Sequence, residues 1–173
     1  MRVELHARPG PIRFVQQGRG AALADLRVVR ADAGVRLVGP GGAPAVDLCE
    51  HLLAALAGTG VRDGVEVRVD GPELPLLDGG AASFAAALLD IQAPRGPAAL
   101  QVVRAARFAE GAACYRLEPS DDMRIEVEVE FPPPVGRERA EWSGDADDFV
   151  RRIAPARTFG WRSDHAALLA RGR

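Results

Sequence analysis

"DLCEHLLAALAGTGVRDGVEVRVD", residues Asp47 to Asp70, contains the two elements on which the fold turns. In its first half Cys49, Leu52, Leu53 and Leu56 recur at i, i+3, i+4 and i+7. That spacing puts them on one helical face and predicts a helix from Asp47 to Ala57. Gly58 and Gly60 stop it. The second half alternates, with Val65, Val67 and Val69 on one face and Glu66 and Arg68 on the other. This is the period of a strand.

At the start of the helix Glu50 and His51 sit side by side at the edge of an apolar run. Two readings of Glu50 are open. Asp47 and Glu50 have the D-x-x-E spacing of a capping box, with Asp47 as N-cap and Glu50 reaching back to its amide. His51 then reads as a half-buried histidine bonded to a backbone carbonyl. The other reading is chemical. Neighbours on a helix point about 100° apart, so the two cannot share one ion in the usual i, i+4 manner. One can bind a metal while the other reaches a water held on it, which is how zinc sites generate hydroxide. The pair alone does not decide, because a catalytic zinc takes about three protein ligands.

Working outward, Val3–Leu5 and Ile12–Val15 read as strands around the turn "RPGP", and "LRVVR" and "VRLVG" as strands around "ADAG". "AASFAAALLDI" reads as a second helix with Phe84, Leu88 and Ile91 on one side. The prolines of "APRGP", Ala93–Pro97, mark the domain boundary. Beyond it "LQVVRAARFA", "ACYRLEP" and "RIEVEVEF" are strands, the last with Ile125, Val127, Val129 and Phe131 facing inward. "PPPVGRERAEW" reads as an irregular excursion, Asp145–Ile153 as a helix, and "DHAALLARG" as a final helical turn or two. The fold class is α+β. A two-layer sheet-and-helix domain over residues 1–95 precedes an incomplete second domain over 98–173, and the strand-then-helix order in both hints at related topology.

Composition excludes several classes. The 173 residues are 47% hydrophobic and 27% charged, as in a globular protein, and the net charge of -2 gives no bulk attraction to nucleic acid. All basic residues are Arg, which with the abundant Ala, Gly and Pro reads as biased genomic composition. Cys49 and Cys114 form no CxxC pair and read as reduced, mostly buried thiols. No segment reaches the ~18–20 apolar residues of a membrane span, and no signal peptide is evident. The expectation is a soluble cytoplasmic protein. "GTGVRDG" follows a helix, whereas a dinucleotide loop follows a strand, so it reads as a turn.

The stretch "EHLLAALAGTGVRDGVEVRVDGPELPLLDGGAASF" resembles the first-domain signature of the zinc-dependent UDP-3-O-acyl-N-acetylglucosamine deacetylases of lipid A synthesis. "FVRRIAPARTFGW" resembles that family's Ile-x-x-Ala-Arg-Thr-Phe-Gly segment, in the right order. The resemblance implies two α+β domains packed face to face, a site between them, and a UDP-sugar lipid precursor as substrate. Carried over by position, His51 is a zinc ligand and Glu50 the general base. Thr158 polarises the substrate carbonyl, Phe159 lies near the substrate, and Asp78 supports the site.

The chain also departs from the pattern. The family's other zinc ligands lie in a His-Lys-x-x-x-Asp segment, followed by a catalytic histidine, and neither occurs here. His6 and His165 align with no family ligand, and Gly80 replaces the usual Ser. One of the family's zinc ligands is present, so the expectation is little or no deacetylase activity from these residues alone. Three readings follow: a truncated deacetylase, one half of a split enzyme whose partner chain supplies the C-terminal half, or a non-catalytic relative that binds or regulates.

Overall fold

The computed structural model describes residues 1–31, 34–96, 101–164 and 166. The fold is α+β. Its first sheet has four strands in the order β1-β7-β2-β3: β1 (Arg2–Pro11), β7 (Asp63–Asp70), β2 (Arg13–Gln16) and β3 (Arg19–Ala22). β2 runs parallel to β7, and β1 antiparallel to it with a register shift between Ala7 and Pro11. The predicted "RPGP" turn is therefore largely the irregular end of β1. A second sheet holds β4 (Arg27–Ala31), β5 (Gly34–Val38) and β6 (Ala45–Val46) in sequence order.

Two helices cover the first sheet, α1 (Glu50–Gly58) and α2 (Ala82–Asp90). The core is where the alternation and the helical spacing meet. Val65, Val67 and Val69 of β7 and Phe14 of β2 are buried with Leu52 and Leu56 of α1 and Phe84 and Leu88 of α2. Each such side chain contributes about 1.5–3 kcal/mol by leaving water. Glu66, on the face of β7 opposite the valines, is only 7% exposed on a strand that lies between β1 and β2. Arg68 and Arg8 satisfy its carboxylate at 2.8 and 3.0 Å, and the Arg68 hydrogen bond holds its pKa below the ordinary value.

Beyond residue 100 the chain forms two separate hairpins. One is β8 (Ala106–Glu110) with β9 (Ala113–Leu117), the other β10 (Ile125–Glu130) with β11 (Arg137–Trp142). Two expectations fail here. Arg137–Trp142 is a strand, not an irregular excursion. Ile125 and Val127 are 46% and 49% exposed instead of facing inward. The opposite face of that hairpin is polar: Arg139 pairs with Glu126, Arg137 with Glu128 and Arg124 with Glu141.

A short helix, α3 (Ala146–Asp148), continues into a π-helical turn over Phe149–Ile153. Asp145 is its N-cap and accepts the Asp148 amide at 2.6 Å. Phe149 is buried, its ring against Trp142 and against Gly58 at the end of α1. Gly58 is glycine for that reason: a Cβ there would fall 2.3 Å from the ring. Of the expected final helix "DHAALLARG", all but Asp164 and Ala166 lies outside the described residues, as does Pro97 at the expected domain boundary. Among the described residues no helix is long and apolar enough to cross a membrane.

Candidate active site

The helix carrying Glu50 and His51 begins at Glu50, not at Asp47. Asp47 is held beside the loop before α2, where its amide donates to Pro72 O and its carbonyl accepts from Leu74 N, both at 3.0 Å. Leu48 then adopts φ 57°, a left-handed conformation no helix interior can contain. The capping box is therefore absent: Cys49 is the N-cap and no side chain caps the helix. Glu50 reaches across to β5 instead. Its Oε2 accepts a hydrogen bond from Val35 N at 2.8 Å, and Cys49 N donates to Val35 O at 3.1 Å. Among the described residues Oε1 of Glu50 has no hydrogen-bond partner. His51 is half-buried, and no carbonyl among the described residues accepts from its ring.

Burial pushes the Cys49 thiol up to about 12, so it stays protonated at neutral pH, and Sγ donates to Val46 O at 3.2 Å. Cys114, expected to be mostly buried, is exposed and accepts from Arg107 Nε at 3.3 Å.

A second group forms where the loop before α2 meets the chain after the π turn. Gly79 donates to Leu76 O at 2.9 Å, and the amide of Gly80 donates to Asp78 Oδ1 at 3.3 Å. Ala81 N then donates to Ala154 O at 3.0 Å, and Thr158 N to Gly79 O at 2.7 Å. A Cβ on Gly80 would lie 2.9 and 3.0 Å from the carbonyl oxygens of Ala156 and Ala154, so the backbones approach closely because residue 80 is glycine. Asp78 and Thr158 are thus brought to one place, both exposed. Phe159 is 52% exposed, edge-on to Phe131 at 5.1 Å and Trp161 at 5.6 Å.

The two groups are linked through the chain. The loop over residues 71–81 runs from its bridge with Asp47, at the mouth of α1, to the Thr158 contact at the mouth of α2. Among the described residues no hydrogen bond joins Glu50 or His51 directly to Asp78 or Thr158. Among the described residues the arrangement offers an anchored carboxylate with one oxygen to spare, an adjacent imidazole and, on the second group, a hydroxyl donor. It does not offer a metal cage, since among the described residues no three His, Cys, Asp or Glu side chains converge. His165 lies outside the described residues. Gly34 and Val35, which meet the Glu50 carboxylate, were not singled out in the sequence, where "ADAG" read as a turn and "VRLVG" as a strand.

Comparison with known proteins gives a consistent picture. The family model described as "LpxC: UDP-3-O-acyl N-acetylglycosamine deacetylase" matches residues 6–173. Curated proteins named UDP-3-O-acyl-N-acetylglucosamine deacetylase from Brucella ovis, Brucella canis and Brucella melitensis are 33% identical to the chain over 131 residues. Those matches cover 73% of this chain and 46% of each relative. The chain thus spans about half the length of the curated relatives it matches.

Proposed function

Since the chain belongs to the UDP-3-O-acyl-N-acetylglucosamine deacetylase family, we propose that it contributes the general-base side of a site that hydrolyses the N-acetyl group of that UDP-sugar lipid in lipid A synthesis. The observation that carries the reading is Glu50. One carboxylate oxygen is anchored on the Val35 amide and the other has no hydrogen-bond partner among the described residues, in the half-buried first turn of α1. An anchored carboxylate with one free oxygen suits abstraction of a proton from water, since a general base acts from within hydrogen-bond reach of that proton.

In this reading water adds to the acetyl carbonyl while Glu50 takes its proton, and the C–N bond then breaks to give acetate and a free amine. Thr158 donates its hydroxyl hydrogen bond to the oxyanion as the tetrahedral centre forms. Asp78 supports Thr158 through the Gly79–Thr158 backbone bond, and Phe159 offers an apolar face to substrate. The expected zinc is not accommodated by these residues alone. His51 is one nitrogen ligand where about three protein ligands are needed, so no step here is routed through the metal. We further propose that the remaining ligands, and the acid that protonates the leaving amine, come from another segment, in cis or on a partner chain. The two units expected from the sequence, 1–95 and 98–173, then form the side of the site that this segment completes. Action in the cytoplasm belongs to the same proposal.

The test has two arms. The 173-residue chain purified alone should carry well under one zinc per chain and give no turnover. Mixed with the separately expressed C-terminal half of a Brucella relative, it should gain both. Stoichiometric zinc in the chain alone, with turnover abolished by a chelator, contradicts the proposal. A co-purifying pair that binds no zinc favours the non-catalytic reading.

A further inference from the structure

We infer that Gly34 is a positioning residue for Glu50, and that Gly34 and Val35 together form a seat that fixes its carboxylate. The inference rests on the reading of Glu50 as base. β5 pairs with β4 along one edge, and with β6 along the other only at Leu37 and Val38. On that second edge the next outward-pointing backbone groups belong to Val35. Both are taken by the start of α1: the amide by Glu50 Oε2 at 2.8 Å and the carbonyl by Cys49 N at 3.1 Å. The strand edge thus grips the backbone and the side chain of the helix mouth at adjacent points.

Gly34 makes the room. A Cβ there would stand 2.9 Å from Glu50 Oε1, 3.2 Å from Oε2 and 2.9 Å from Leu48 Cδ2. Gly34 is not among the residues with positive φ, so its backbone conformation does not require glycine. Space beside the carboxylate does. The atoms a methyl would meet are the ends of side chains and not backbone, so Gly34→Ala moves the carboxylate more readily than it disrupts the fold. The anchored oxygen would have to leave the Val35 amide, or the free one turn away from its present direction. A displacement near 1 Å at a reacting group can cost about 10²-fold in rate.

The experiment compares wild type with Gly34→Ala, Glu50→Ala and Glu50→Gln. Amide hydrogen exchange is read at Val35 in the isolated chain. Turnover is read in the assembly with the C-terminal half of a Brucella relative. Gly34→Ala should speed Val35 exchange at least tenfold while the amides of β7 stay unchanged. In the assembly, with turnover expressed per folded assembly, it should lower kcat by 10- to 100-fold with KM within twofold, the pattern of an interaction lost in the transition state. A Gly34→Ala kcat within twofold of wild type overturns the inference. If Gly34→Ala fails to fold, Glu50→Ala decides: Val35 exchange equal to wild type removes the seat. Full turnover by Glu50→Gln sinks the base reading instead, and the exchange result still reports on the seat.

Discussion

Gly58→Ala sets helix propensity against packing at one atom. Gly58 is the last residue of α1. By propensity alone alanine there should stabilise by up to about 1 kcal/mol. The new Cβ, however, would lie 2.3–2.4 Å from three atoms of the Phe149 ring. Ordinary contact begins at 3.4 Å, so the ring must retreat by about 1 Å (3.4 − 2.3 = 1.1). It has little room, because Phe149 is 4% exposed and lies edge-on to Trp142 at 5.7 Å. Overpacking of this kind costs about 1–3 kcal/mol. Subtracting the propensity gain leaves a net loss of up to about 2 kcal/mol, which is up to roughly 8 °C in Tm for a chain of this length. Urea unfolding of Gly58→Ala, Phe149→Ala and the double variant measures it as a cycle. With the ring removed, Gly58→Ala should change sign and stabilise by about 0.5–1 kcal/mol. Stabilisation by Gly58→Ala in the wild-type background, or the same effect in both backgrounds, would show that the Phe149 ring does not oppose a Cβ at residue 58.

Other outcomes are expected alongside it. At pH 8 a thiol reagent should modify Cys114 quickly and Cys49 only on unfolding, since the one is exposed and the other buried. The folded pKa of Cys49 is raised from 9.0 to about 12. The unfolded chain therefore sheds that proton first, and the contribution of Cys49 to stability, full below pH 9, should fall as pH rises from 9 toward 12; a Cys49→Ala variant lacking that part of the slope would confirm the source. Asp145→Ala should cost about 1 kcal/mol in urea unfolding by removing the cap on Asp148, and no change would show the cap to be idle. The exposed apolar faces bearing Phe108, Tyr115, Ile125 and Val127 should make the isolated chain associate with rising concentration. Light scattering should show this, and a clean monomer at high concentration would count against it.

The elements that local periodicity encodes were legible. Leu52 and Leu56 announce α1, and the valines of β7 announce the central strand. What was hidden depends on distant partners. Spacing put the helix start at Asp47, but Asp47 is held by Pro72 and Leu74, and Leu48 turns left-handed to let the helix begin at Glu50. β11 escaped notice because "RERAEW" carries its signal across the ladder, in arginines that answer the glutamates of β10. The alternation of β10 identified an apolar face but not whether anything covers it. At the site, Glu50 and His51 stood out because ionisable groups border an apolar run, and Thr158 and Asp78 through the family pattern. The seat was invisible because Gly34 meets Glu50 across the β5–α1 contact, which no local spacing records.

Glu50 is proposed here as the base of a deacetylase site completed by another segment. The most direct measurement is kcat for release of acetate from UDP-3-O-acyl-N-acetylglucosamine by the chain assembled with the C-terminal half of a Brucella relative, wild type against Glu50→Gln. Loss of general-base catalysis predicts a fall of about 10²–10⁴-fold with the assembly intact. Equal turnover by Glu50→Gln, or full turnover by the 173-residue chain alone, would contradict the account.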